Sequence, residues 1–193
     1  MPVPARLLAS SIAIAAAALL IGCASCGEVR VLKLQEHAAA PAIQVSHESS
    51  DLWLDHPMFA IAVGPCVGNP AASFGPAPPL CAKLFVHQGA TLRFERAEFL
   101  LLDLKSGDTW DVPMKGQGFR PLEPIVGSDY RRGVGHSRQD RERGTPEYFR
   151  LLEFRPPNEV AIAMPRVWVN DAWVALPALR ATPATEVQCA RGV

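Results

Sequence analysis

His47, Asp51, Asp55 and His56 lie within one ten-residue stretch, where they offer the nitrogen and oxygen donors that Zn²⁺ accepts. They would converge only if Leu52-Trp53-Leu54 formed a turn. The simpler expectation is ordinary surface histidines, with Asp51 or Asp55 capping the next element. Ser49 or Ser50 beside His56 supplies a hydroxyl and an imidazole, but nearness in sequence does not position a nucleophile against its base. Asp103, Asp108 and Asp111 surround a Ser106-Gly107 turn without the alternating ligand spacing of an EF-hand loop, so they are expected to shape the turn. Glu95, Glu98 and Asp103 are the remaining carboxylates a hydrolase could use, and acid–base work needs two such groups with their pKa values driven apart. The chain has no G-x-S-x-G elbow, H-E-x-x-H helix, P-loop or G-x-G-x-x-G opening a βαβ unit. No catalytic residue, metal ligand or cofactor is therefore assigned.

Recognition has better material. Residues 126 to 146 carry Arg131, Arg132, Arg138, Arg141 and Arg143 against three acids, a local charge of +2. Guanidinium groups make paired contacts with carboxylates, so this segment is expected to meet an acidic partner surface. The simpler alternative is a solvated excursion, or a short surface helix around Ser137 to Arg143. Strong basic excess and interleaved aromatics, the marks of a nucleic-acid surface, are missing. Further on, Val167-Trp168-Val169 and Ala172-Trp173-Val174 flank Asn170-Asp171. A two-residue turn there sets Trp168 opposite Trp173, either as a packing contact or as an exposed aromatic platform for a glycan or a partner.

Cysteine usage and the N-terminus address location. Met1 to Arg6 is a short positive start, Leu7 to Leu20 is almost unbroken Leu, Ile and Ala, and the run closes on Leu20-Ile21-Gly22-Cys23. That order reads as a secretory signal. Leu20-Ile21-Gly22-Cys23 resembles the lipobox of bacterial lipoproteins, which implies cleavage before Cys23 and lipidation of that cysteine. Several acyl chains would hold the mature protein on a membrane without spanning it. Ala24 stands where an aspartate would resemble an inner-membrane retention signal, so the outer membrane, facing the periplasm, is the expected destination. In that oxidising compartment the four remaining cysteines read as disulfides. Cys66 and Cys81 flank a Gly/Pro/Ala-rich passage that gains most from being tied at its ends. Cys26 and Cys189 then pair by elimination, pinning the ends of the domain together.

The elements that must position these groups have the period of strands. Leu84, Val86, Leu92 and Phe94 alternate on both sides of Gln88-Gly89-Ala90, predicting a hairpin. A second hairpin is expected around Lys105 to Trp110, and two more strands around Arg155 to Asn158. The 18 prolines mostly punctuate these runs, which argues against long helices. We therefore expect residues 1–22 to be a leader and 23–27 a lipidated start with a short tether. Residues 28–193 should form one disulfide-braced, β-dominated domain, an antiparallel sandwich or partly closed barrel of about eight to ten strands. Residues 115 to 146 form its long polar loop. Losing Arg6 with the leader turns the balance of 19 basic and 19 acidic residues into a mature charge of −1, which gives nucleic acid no purchase. The expected function is a lipid-anchored protein-binding module in the bacterial envelope, such as an inhibitor or immunity protein against an envelope-targeting enzyme or toxin. A structural accessory of an envelope or secretion assembly, or a periplasmic hydrolase, is the alternative.

Overall fold

The computed structural model describes residues 26–48, 50–66, 79–115, 120–127, 131–132, 142–143, 148–154, 156 and 158–189; at 29, 131–132, 142–143, 148–154 and 188–189 it describes the backbone alone. The fold is β-dominated, with no helix among these residues, and its antiparallel sheets curl into a half-barrel. Alternating side chains explain the class: Thr91–Phe94 and Glu98–Asp103 place every second residue inward, so each strand buries one face and leaves the other to solvent.

The first half of the chain forms β1 (Cys26–Ala38), β2 (Gln44–Glu48), β3 (Asp51–His56), β4 (Phe59–Pro65), β5 (Leu80–Val86), β6 (Thr91–Phe94), β7 (Glu98–Asp103) and β8 (Thr109–Pro113). The second half forms β9 (Ile125–Val126), β10 (Arg131–Arg132), β11 (Glu142–Arg143), β12 (Tyr148–Phe154), β13 (Val160–Ala163), β14 (Val167–Val169), β15 (Ala172–Val174) and β16 (Ala178–Cys189). One sheet runs β1-β16-β13-β7-β8, a second β12-β5-β4-β3-β2 and a third β15-β14-β6-β9, while β10 and β11 pair separately. The sixteen strands among the described residues exceed the eight to ten expected, partly because the excursion after Lys115 contains three two-residue strands that a hydrophobic pattern cannot register.

Inward residues of the three large sheets merge into one apolar cluster, including Leu54, Phe59 and Ile61 of the second sheet, Phe99, Leu101 and Ile162 of the first, and Phe94, Val167 and Val169 of the third. Phe59, Phe94 and Phe99 are fully buried, each stabilising the fold by roughly 1.5–3 kcal/mol. A separate cluster covers the outer side of the second sheet, where Trp53 and Phe85 stack with ring centroids 5.3 Å apart beside Ala60 and Ala62 of β4. Cross-strand pairing explains it, since Trp53 faces Ala62 and Phe85 faces Ala60, and the small side chains leave room for two rings to meet.

Two features frame the molecule. Cys66 and Cys81 are disulfide-bonded, with Cα atoms 4.8 Å apart, so the ends of the 67–80 passage are tied as its composition predicts. The first and last strands pair from Glu36 opposite Leu179 out to Cys26 opposite Cys189. Because β13 meets β16 only from Leu179 to Ala181, the outer rungs continue as a two-stranded ribbon, reinforced by Lys33 and Glu186 at 3.1 Å. Cys26 is itself disulfide-bonded.

Candidate functional site

The third sheet carries the most distinctive surface. Asn170 and Asp171 adopt φ values of 39° and 75°, the positive pair that a tight two-residue hairpin demands. The Asn170 side-chain carbonyl also accepts a hydrogen bond from the Thr91 N–H at 3.0 Å, locking the turn to the start of β6. Register follows from that turn: Val169 faces Ala172, Trp168 faces Trp173 and Val167 faces Val174. On its other side β14 pairs with β6, setting Trp168 opposite Arg93 and Val167 opposite Phe94. With Val167, Val169, Phe94 and Val174 buried, alternation turns Arg93, Trp168 and Trp173 outward in one row across three strands.

In that row the indoles meet edge to face, 5.1 Å between centroids, a pairing worth about 0.5–1.5 kcal/mol beyond burial. The Arg93 guanidinium lies 5.6 Å from the Trp168 centroid and 5.7 Å from that of Trp173. Arg166, on the same face of the chain leading into β14, lies 5.2 Å from the Trp173 ring and makes a two-point contact with Glu95. Hydrogen bonds from Arg166 hold the Glu95 carboxyl below the usual carboxylate range, and the charges of Arg166 and Arg96 act in the same direction. The same pair raises the Arg166 pKa further. Trp173 is 39% exposed, and the surface continues through Val126, 67% exposed, which faces Thr91. No protein-family model, curated protein or solved structure shows significant similarity to the chain.

The tryptophan pair thus sits in the register its spacing predicts. Arg131 and Arg132 form β10, opposite Arg143 and Glu142 of β11, so three of the five loop arginines enter a short ladder. Arg138 and Arg141 lie outside the described residues, as do Cys23 and residues 137–141 of the alternative helix; Glu142 and Arg143 are strand. Arg93 and Arg166 belong to the tryptophan face without being named from the sequence, and Glu95, named there as a carboxylate, pairs with Arg166. Their signal is weak: Thr91 to Phe94 shows outward alternation, but the partner strand lies far along the chain, and no short-range pattern names it.

The His47 to His56 segment is a hairpin of β2 and β3, not a metal turn. Alternation sends Asp51 and Asp55 to the face of Trp53, and His56 to the face of Leu52 and Leu54, so the would-be ligands are separated. Among the described residues no group of three or more metal-binding side chains forms. Asp51 instead lies 3.5 Å from Lys83, and Asp55 accepts a hydrogen bond from Ser46 at 3.3 Å. Asp103 accepts from the Lys105 and Ser106 N–H groups at 2.7 and 3.0 Å and from Asn158 at 2.8 Å, the turn-shaping role expected of it. Those bonds, Asn158 first, hold its pKa down. Glu95, just after β6, and Asp103, at the end of β7, are thus both stabilised as carboxylates, whereas a general acid needs its proton retained.

Proposed function

We propose that this protein is a lipid-anchored, periplasm-facing protein-binding module of the bacterial outer membrane, with Cys23 as the lipidated residue. The observation that supports it best is the exposed Arg93-Trp168-Trp173 row. Tryptophan and arginine are among the residues most enriched where proteins bind one another. Here both are fixed before any partner arrives, by edge-to-face packing and by the guanidinium over the rings, so little freedom remains to be lost on binding. Beneath them Phe94, Val167 and Val169 anchor the sheet in the shared core. An inhibitor or immunity protein acting on an envelope-directed enzyme or toxin fits this construction, since such proteins act by occupying a surface and need no catalytic group. The arginines at 131, 132, 138, 141 and 143 are proposed as a second, charged contact with the partner.

Photocrosslinking in the native bacterium tests this. A benzoylphenylalanine at Val126, beside the tryptophan row, should give a discrete protein adduct in the outer-membrane fraction, and the adduct should vanish when Trp173→Ala is added. The same probe at Val187, on the exposed ribbon, should not form it. A C23S variant should leave the membrane fraction. Absence of any protein adduct at Val126 overturns the binding reading, and membrane partition that survives C23S overturns the anchor.

A further inference from the structure

Resting on that reading, we infer that the partner segment seated on the third sheet is acidic, with a carboxylate held on Arg93 between the two indoles. Three guanidinium groups, Arg93, Arg96 and Arg166, share this neighbourhood with the Glu95 carboxylate. Glu95 is committed to Arg166 through both of its oxygens. Among the described residues no carboxylate pairs with Arg93, whose contacts are the two rings. The local charge is therefore positive, on a protein whose mature total is −1.

Geometry adds to charge. A guanidinium resting over an aromatic face keeps its N–H edge available, and that edge matches the two oxygens of a carboxylate. The rings also hold the arginine in place, so the pairing costs less rotamer freedom than a mobile lysine would. Around this seat the exposed edges of Trp173 and the side chain of Val126 offer apolar contact for the residues flanking the acid. A neutral glycan fits less well. Sugars stack on open indole faces, whereas Trp173 has two guanidinium groups within 6 Å of its ring.

The test is a titration of the folded mature domain, following the indole N–H resonances of Trp168 and Trp173. The probes are capped hexaglutamate, capped hexaglutamine and an oligoglucuronate. Hexaglutamate should shift both indoles, hexaglutamine should not, and raising salt from low to physiological levels should weaken the response. Arg93→Gln should weaken hexaglutamate binding about tenfold or more, while Arg93→Lys, which keeps charge but loses the planar fork, should fall between. A thermal melt of each variant shows that the sheet remains folded. Equal response to hexaglutamine, no response to hexaglutamate, or hexaglutamate binding unchanged in Arg93→Gln each overturns the inference. Tighter binding of the oligoglucuronate does so in favour of an acidic sugar. Its failure is separable from that of the binding reading, because the Val126 crosslink reports a protein partner whatever that partner's charge.

Discussion

His56 shows how one side chain ties the fold to pH. Its ring stacks on Phe59 at 4.8 Å between centroids, and its Nδ1 accepts a hydrogen bond from the Met58 N–H at 3.2 Å, which requires that nitrogen unprotonated. Partial burial, and then the nearby His87, hold its pKa below the ordinary 6.5. His87 is buried, and its Nδ1 lies 3.0 Å from the Pro57 carbonyl, so that nitrogen carries the proton. As pH falls below about 6.5 the unfolded chain takes up a proton at His56 before the folded chain does, so stability declines with falling pH until the folded histidine also protonates. Urea midpoints should drop between pH 7.5 and pH 5.5, and His56→Gln should flatten that slope. A slope unchanged in the variant would assign the dependence to another group.

Asp171 belongs to the element scale, because its φ of 75° is set by the hairpin and not by its own preference. Glycine carries no Cβ to resist that region. Asp171→Gly should therefore stabilise the domain, by up to about 1 kcal/mol, with the indole contact intact by near-ultraviolet circular dichroism. A destabilised variant would show that the aspartate side chain has a role the turn geometry does not reveal. The disulfide works at the same scale. Opening it in a C66S/C81S variant should cost roughly 3 kcal/mol, measured as a lower denaturant midpoint, with the sheet order unchanged. Both features were legible in the sequence because each is a local constraint: a two-residue turn fixes its own register, and a Gly/Pro-rich passage between cysteines has one economical closure. The pairing of β6 with β14 was not legible, since Thr91 and Asn170 are 79 residues apart and nothing nearby encodes their meeting. Likewise β3 is buried on both faces at Leu52, Trp53 and Leu54, which removes the alternation by which a strand is recognised and left its charged ends to suggest a polar turn. β16 hid behind Pro183. That proline lies beyond the end of β13, where one side of β16 is open and a missing N–H can be tolerated.

For the whole molecule, the β-dominated class was readable because alternating runs and scattered prolines recur along the entire chain. What composition cannot convey is that the two longest strands are the first and the last, joined into one ribbon. That arrangement makes the domain's outermost rungs depend on contacts between opposite ends of the chain, and the rungs past Leu34 and Ala181 lack a third strand. Hydrogen exchange should therefore be faster at Arg30 and Thr185 than at Leu34 and Ala181, and reduction of the Cys26 disulfide should widen the difference. Equal exchange along the ribbon would show that its outer part draws support from elsewhere.

The same ribbon determines how the protein answers a mechanical load. Its two strands run antiparallel and bring residues 26 and 189 to a common tip, so tension between the chain ends falls on the rungs one after another, as in peeling tape, and not on all of them at once. Peeling needs little force at any instant, because one rung at a time resists. A covalent bond between Cys26 and Cys189 would carry that tension past every rung. With handles at the two ends, the oxidised domain should stretch without opening, and the reduced domain should unzip inward from the tip until it reaches Ala181, where β13 begins to hold.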